Sequence, residues 1–117
     1  MTLTTKAILP LGALTLALAM PVAAAAQDEA LVKKGQEVYA AQKCSVCHSI
    51  AGKGGKSSAL DGIGAKMSAD DIRKWITAPV EMTAKANSTK KPPMPAKWTN
   101  LPAADLDALV AYIASLK

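Results

Sequence analysis

The chain has 117 residues, with 14 Lys and Arg against 9 Asp and Glu and a formal net charge of +5. Trp and Tyr together number four and Phe is absent, so the chain lacks the aromatic surface and the strong basic patch typical of nucleic-acid-binding domains. This length predicts a small protein with one folded domain.

Residues 1–26 have the pattern of a cleaved secretory signal peptide. A single cation, Lys6, precedes an apolar run too short to span a bilayer comfortably, and Ala24 and Ala26 have the spacing of an Ala-x-Ala cleavage site. A retained membrane anchor is the alternative, but Pro and Gly interrupt the run and no charged stop-transfer segment follows. We predict cleavage after Ala26 and no stable anchor afterwards. Without Lys6 the mature domain, residues 27–117, keeps 13 basic and 9 acidic residues, a charge of +4.

The first predicted helix covers residues 28–42 and starts with two acidic residues, which suit a helix N-terminus. Gly inside a helix costs about 1 kcal/mol relative to Ala, so Gly35 predicts a close approach by another backbone. The residues spaced three or four apart on the predicted packing face are Leu31, Gly35, Val38 and Tyr39.

Both cysteines and the single histidine of the chain lie within five residues, Cys44 to His48. Two thiols three residues apart can add to the two vinyl groups of one haem, and the next residue can then bind the iron through its imidazole. A structural zinc site would need a fourth ligand, a redox dithiol would follow a strand, and a plain disulfide would leave His48 unexplained. The motif therefore predicts one haem c, covalently bound through Cys44 and Cys47, with His48 as an iron ligand.

The middle of the chain alternates between irregular and helical patterns. Residues 51–60 are rich in Gly, Ser and Lys, which predicts no regular structure, and they lack the spacing of a nucleotide-binding loop. Ser68 and Asp71 form a capping-box-like start to a helix at residues 69–77, which Pro79 ends. The apolar face of this helix consists of Ile72, Trp75 and Ile76.

The stretch from residue 79 to residue 100 is predicted to be irregular, and it contains the candidate for the second iron ligand. Pro stands on both sides of Met94, and the restricted backbone would deliver the thioether without side-chain wandering. Met67 and Met82 lack such restriction, so we interpret them as core or surface thioethers.

The last predicted helix covers residues 102–117, with Pro102 at its first position. Its apolar face consists of Leu106, Leu109, Val110 and Ile113. No segment carries a strand pattern, so the sequence predicts an all-α fold. With so few aromatic residues the cofactor would serve as the core. If a haem buries as much apolar area as two or three aromatic side chains, it contributes roughly 8 to 19 kcal/mol, so the haem-free chain is predicted to be largely unfolded.

Over residues 27–117 these features resemble the small soluble monohaem class I c-type cytochromes of bacteria. In that family the N- and C-terminal helices cross, and a short middle helix and loops wrap around one covalently bound haem. The N-terminal helix has a Gly and an aromatic residue four apart, and the C-terminal helix has an apolar and an aromatic residue three apart. The matching positions here are Gly35, Tyr39, Leu109 and Tyr112.

The resemblance also implies three further haem-site residues. The segment 60–64 is similar to the family's Leu-x-Gly-apolar-Gly pattern and contributes Ile63, and Trp75 resembles a tryptophan that lines the pocket near a haem propionate in some members. The family often has Pro at the position of Ser58, where its carbonyl fixes the second ring nitrogen of the histidine. A backbone carbonyl is present whatever the side chain, so Ser58 can make the same bond to His48.

With His48 and Met94 on the iron no site is vacant for a substrate, so we predict an electron-transfer protein with no catalytic residue. The expected role is a monomeric carrier in the periplasm or another extracytoplasmic space, moving electrons between redox proteins of a respiratory or related chain. The alternatives are a haem subunit of a larger oxidoreductase, or a peroxidase-like or ligand-binding protein with a labile sixth ligand. The partners would be acidic if the following lysines gather around the haem edge rather than serving solubility alone: Lys43, Lys53, Lys56, Lys90, Lys91 and Lys97.

Overall fold

The computed structural model describes residues 21–117, with side chains from residue 28 onward. The predicted signal peptide lies outside the described residues except for its last six positions, and it stays a prediction. In chain order the elements are α1 (Pro21–Ala41), a short 3₁₀ helix (Cys44–Val46), β1 (His48–Ile50), β2 (Lys53–Gly54), β3 (Ser58–Ala59), α2 (Ile63–Lys66), α3 (Ala69–Thr77), α4 (Pro79–Lys85) and α5 (Ala103–Ala114). Within the described part of the chain, no helix has the length and apolar character needed to cross a membrane.

Helix α1 packs against α5, and Gly35 lies at the point of closest approach. A Cβ atom on Gly35 would overlap the carbonyl oxygen of Ala108 and would lie 2.5 Å from Cβ of Tyr112. One turn later the ring of Tyr39 meets that of Tyr112 edge to face, with 5.6 Å between centroids. The close backbone approach predicted from Gly35 is therefore confirmed, whereas the predicted face residue Leu31 is 37% exposed.

Replacing Gly35 with Ala is expected to lower the free energy of unfolding of the haem-loaded protein by about 1–3 kcal/mol, the usual cost of overpacking. Ala favours the helix by about 1 kcal/mol, but the Ala108 carbonyl group belongs to backbone, and neither it nor the Tyr112 Cβ atom can rotate away. Denaturant unfolding of Gly35→Ala checks this, with the exposed position Gln36→Ala as the control. If the Gly35→Ala variant were as stable as the wild type, α1 and α5 could move apart at little cost in free energy.

Helix α3 has the predicted bounds and the predicted start. The Ser68 hydroxyl accepts a hydrogen bond from the backbone N–H of Asp71 at 3.1 Å, so it satisfies one of the free donors of the first turn. Ile72 and Ile76 are buried on its inner face. Helix α5 is shorter than predicted at both ends, because Pro102 is the residue before the helix and the helix ends at Ala114.

The expectation of no strands was wrong, since a three-stranded sheet in the order β2-β1-β3 follows the histidine. Strands β1 and β2 are antiparallel, and both residues between them have positive φ, Ala51 at 51° and Gly52 at 76°. This is the geometry of a two-residue hairpin loop, which Asn or Asp usually signals at its first position. Ala51 gives no such signal, and the Asp61 side chain instead accepts its backbone N–H at 2.8 Å.

The expectation that residues 79–100 are irregular was wrong for their first third. Pro79 ends α3 and is also the first residue of α4, a position that Pro favours because its missing N–H would have no helical partner there. Met82 is buried on α4. Helix α2 is a single turn that the sequence did not predict, and the backbone N–H of Gly64 within it donates to the Leu116 carbonyl at 2.8 Å.

The core is built mainly from α1, α3 and α5. Its buried members are Val38, Tyr39, Leu60, Ile72, Ile76, Leu109, Val110 and Ile113, and partly buried residues that pack against it include Cys44, Met94 and Trp98. The cysteine motif (residues 44–48) and the methionine segment (residues 89–100) therefore meet at one side of the same hydrophobic core.

Candidate functional site

The two cysteines project from a tight turn that follows α1. Lys43 has left-handed backbone geometry, with φ of 56°, and the 3₁₀ helix begins at the next residue. Cys44 and Cys47 are both half-buried free thiols on the wall of one cavity. Burial raises the pKa of the Cys44 thiol above its ordinary value. Val46 between them is 71% exposed.

The imidazole of His48 is held from behind by backbone. Its Nδ1 lies 3.1 Å from the Ser58 carbonyl oxygen, and because a carbonyl can only accept, Nδ1 carries the proton and Nε2 keeps its lone pair. Burial lowers the pKa of His48, against a smaller opposite effect of the Ser58 bond. The ring is therefore neutral at pH 7, the form in which histidine binds a metal.

The small sheet explains why Ser58 reaches the histidine. His48 and Ser58 are register partners in the parallel β1–β3 pair, and the Ser58 backbone N–H also donates to the Cys47 carbonyl at 3.2 Å. Proline at residue 58 would keep the carbonyl but would lose this second bond. The bond from Ser58 to the His48 ring comes from its backbone carbonyl, and the Ser58 hydroxyl takes no part in that contact.

Tyr39 was assigned from the sequence only to helix packing, but it also contacts His48. Its hydroxyl donates to the His48 carbonyl at 3.4 Å, and its ring lines the cavity. Burial, reinforced by the nearby Cys44 thiol, raises the pKa of Tyr39 to about 12. The phenol is therefore a neutral donor throughout the physiological pH range.

A cavity of about 500 Å³ separates the cysteine motif from the methionine segment. Helices α3 and α5 form one wall, and residues 86–95 form much of another. The apolar side chains of this lining include Leu60, Ile72, Ile76, Leu109, Ile113, Pro92 and Pro93. A volume of this size lies within the range of small-molecule and cofactor pockets.

All of the haem-site residues proposed from the sequence line this cavity: Cys44, Cys47, His48, Ser58, Ile63, Trp75 and Met94. Met67 lines it as well, whereas Met82 lies outside this lining and lines a smaller neighbouring cavity. Sequence reasoning missed Trp98, which also lines the cavity and donates to Gln42. A large aromatic residue four positions after Met94, in a segment otherwise poor in apolar bulk, was the available signal.

The residues present fit a covalently bound haem. Two free thiols stand three residues apart at the edge of a largely apolar cavity, and a neutral imidazole with one free nitrogen follows directly. The two thiols can form thioether bonds with the vinyl groups of one haem, and the imidazole can bind its iron.

Comparison with known proteins supports the same conclusion. The family model for cytochrome c matches residues 32–117, which includes the cysteine motif, the sheet, the methionine segment and α5. Searches of curated proteins and of solved structures gave no match. The chain therefore belongs to the cytochrome c family, as a small c-type cytochrome that carries covalently bound haem c with its iron and functions in haem-based electron transfer.

Proposed function

We propose that this protein is a one-electron carrier of class I type that works outside the cytoplasm, with His48 and Met94 as the two axial ligands of the iron. The observation that carries the proposal is that Met94 lies in the lining of the same cavity as Cys44, Cys47 and His48. When bound, the haem supplies an iron centre that gains and loses one electron. Two protein ligands on that iron favour electron transfer over substrate chemistry, because no coordination position is vacant.

The role of His48 follows from its hydrogen bond. The Ser58 carbonyl fixes both the tautomer and the orientation of the ring, and this support increases the basicity of the remaining nitrogen. Tyr39 donates to the carbonyl of the same residue. One contact involves the His48 backbone carbonyl and the other its Nδ1 atom, so both leave Nε2 available for the iron.

Met94 is the better supported of the two methionines that line the cavity. It is half-buried, and Pro93 and Pro95 on either side limit the backbone movement that would withdraw its sulfur. Met67 follows the single-turn helix α2 in extended backbone, without flanking proline. We propose for Met67 a packing role.

The class I arrangement is supported by the contact between the terminal helices. Gly35 of α1 packs against Ala108 and Tyr112 of α5, and Tyr39 continues the contact along α1. Gly35, Tyr39 and Tyr112 are three of the four positions that the family resemblance indicated. We propose that the two helices cross at Gly35, since Gly is needed where two helix backbones come this close.

We further propose that the carrier is a monomer, exported through residues 1–26 to the periplasm or an equivalent compartment, where it meets acidic redox partners. The six lysines considered from the sequence are all exposed. Lys43 and Lys90 belong to the cavity lining itself, so they form part of the rim through which an electron would leave. The exposed Val46, whose backbone N–H donates to the Lys43 carbonyl, supplies an apolar contact next to Lys43.

Charge reversal at this rim is expected to slow electron transfer to an anionic acceptor. We consider an ionic strength of about 0.1 M, where the Debye length is about 10 Å. Under these conditions the reduced double variant Lys43→Glu/Lys90→Glu should react with ferricyanide at least about threefold more slowly than the reduced wild type. The control Lys33→Glu/Lys66→Glu changes the net charge equally at exposed positions outside the lining. Equal slowing of the two double variants would mean that only net charge matters.

An absorption spectrum combined with a potentiometric titration tests the proposal as a whole. A sulfur-to-iron charge-transfer band in the oxidised protein and a raised reduction potential are expected for Met/His ligation. Rapid carbon monoxide binding by the reduced wild-type protein would instead indicate a ligand-binding or peroxidase-like protein. A stable larger assembly on size-exclusion chromatography would indicate a fixed subunit of an oxidoreductase.

A further inference from the structure

One hydrogen bond connects the end of α1 to the segment that carries Met94. The Trp98 indole Nε1–H donates to the side-chain oxygen Oε1 of Gln42 at 3.1 Å, across 56 positions of sequence, and both side chains are half-buried. Gln42 is itself held in place, since its backbone N–H donates to the Val38 carbonyl at 2.8 Å. It precedes Cys44 by two residues. The bond therefore joins the attachment end of the site to the methionine end.

Few other hydrogen bonds hold the methionine segment in place. Within the described chain, residues 89–100 form no helix or strand, and their other hydrogen bonds are local: Lys90 N–H to the Ser88 hydroxyl at 3.4 Å, and Leu101 N–H to the Trp98 carbonyl at 3.4 Å. The Lys97 ammonium lies 5.0 Å from the centroid of the Trp98 ring. Trp98 and Met94 are both partly buried and pack against the same hydrophobic core.

We propose that Gln42 and Trp98 are positioning residues for the sixth iron ligand, because their hydrogen bond latches the Met94 segment over the haem cavity. The inference rests on the proposed ligation by Met94 and names the contact that sustains it. The segment has a closed state, with Met94 at the cavity, and an open state in which the segment has moved away. The Gln42–Trp98 bond exists in the closed state alone, so its loss raises the population of the open state. An external ligand that enters only the open state then binds more tightly by the same factor.

Imidazole binding to the oxidised, haem-loaded full chain measures that factor. Gln42→Leu and Trp98→Phe remove the acceptor and the donor respectively while keeping apolar bulk. Each should raise the apparent affinity for imidazole roughly 3- to 10-fold, the range expected for one hydrogen bond. Gln42→Glu keeps an acceptor oxygen at the same reach and should behave like wild type. Gln36→Leu, at an exposed position of α1, the helix that ends one residue before Gln42, is the matched control and should also behave like wild type.

The double variant Gln42→Leu/Trp98→Phe separates a shared bond from two independent effects. If both residues act through one hydrogen bond, the double variant should bind imidazole no more tightly than either single variant. The latch would be overturned if the increases in imidazole affinity of the two single variants multiplied in the double variant. It would also be overturned if the variants had lower unfolding stability but unchanged imidazole affinity. Neither result would contradict ligation by Met94. A wild-type protein without the sulfur-to-iron band would overturn the proposed ligation itself, and the latch with it.

Discussion

Replacing both Cys44 and Cys47 with Ala is expected to yield a colourless protein that is largely unfolded at 25 °C. Without thioether bonds the haem is not retained, and the cavity of about 500 Å³ at the core is left to water. At about 24 cal/mol per Å³, an empty cavity of that size would cost up to about 12 kcal/mol. This upper bound is comparable with the whole stability of a typical domain, about 5 to 15 kcal/mol.

The side chains that remain cannot compensate for the missing cofactor. The chain has no Phe, and its Trp and Tyr residues number only four. Small domains have little stability to lose, because a large part of their surface stays exposed. Far-UV circular dichroism and a thermal scan of the double variant check the expectation. Ser45→Ala, an exposed change inside the same motif, is the control and should keep both colour and a cooperative transition. Cooperative melting of the colourless double variant would disprove the dependence on haem.

Replacing Met94 with Ala is expected to abolish the sulfur-to-iron charge-transfer band of the oxidised protein and to let the reduced protein bind carbon monoxide rapidly. The change removes the sulfur of the one methionine that has proline on both sides in the sequence, and it leaves a coordination position of the iron open. The reduction potential should fall, because Met ligation raises it, by a sizeable part of the about 0.8 V range that axial ligands cover.

The other two methionines provide matched controls for this experiment. Met82→Leu changes a buried thioether outside the main cavity lining and should keep the band. Met67→Leu removes the second thioether of the lining and tests directly whether Met67 is the iron ligand. A band that survives Met94→Ala and disappears in Met67→Leu would transfer the ligand role to Met67.

The attachment motif, the terminal helices and the methionine candidate could be predicted from sequence because each depends on residues close together in the chain. Cys44, Cys47 and His48 need only their spacing to define the chemistry, and the Ser68 cap needs only the N–H three residues later. The Gly35 prediction succeeded for a related reason. A costly residue inside a helix indicates a tertiary contact even when the partner is unknown.

Features that join distant segments were decided only by tertiary structure. Sequence suggested that backbone at residue 58 could support His48, but the bond required the parallel pairing of β1 and β3, which no local strand pattern signals. Gln42 is an ordinary polar residue until the fold brings Trp98 within hydrogen-bond distance. Local sequence thus determined which groups attach the haem, because that chemistry is a matter of residue type and spacing. The fold determined which backbone and side-chain groups orient the ligands, because those contacts exist only after remote parts of the chain have packed together.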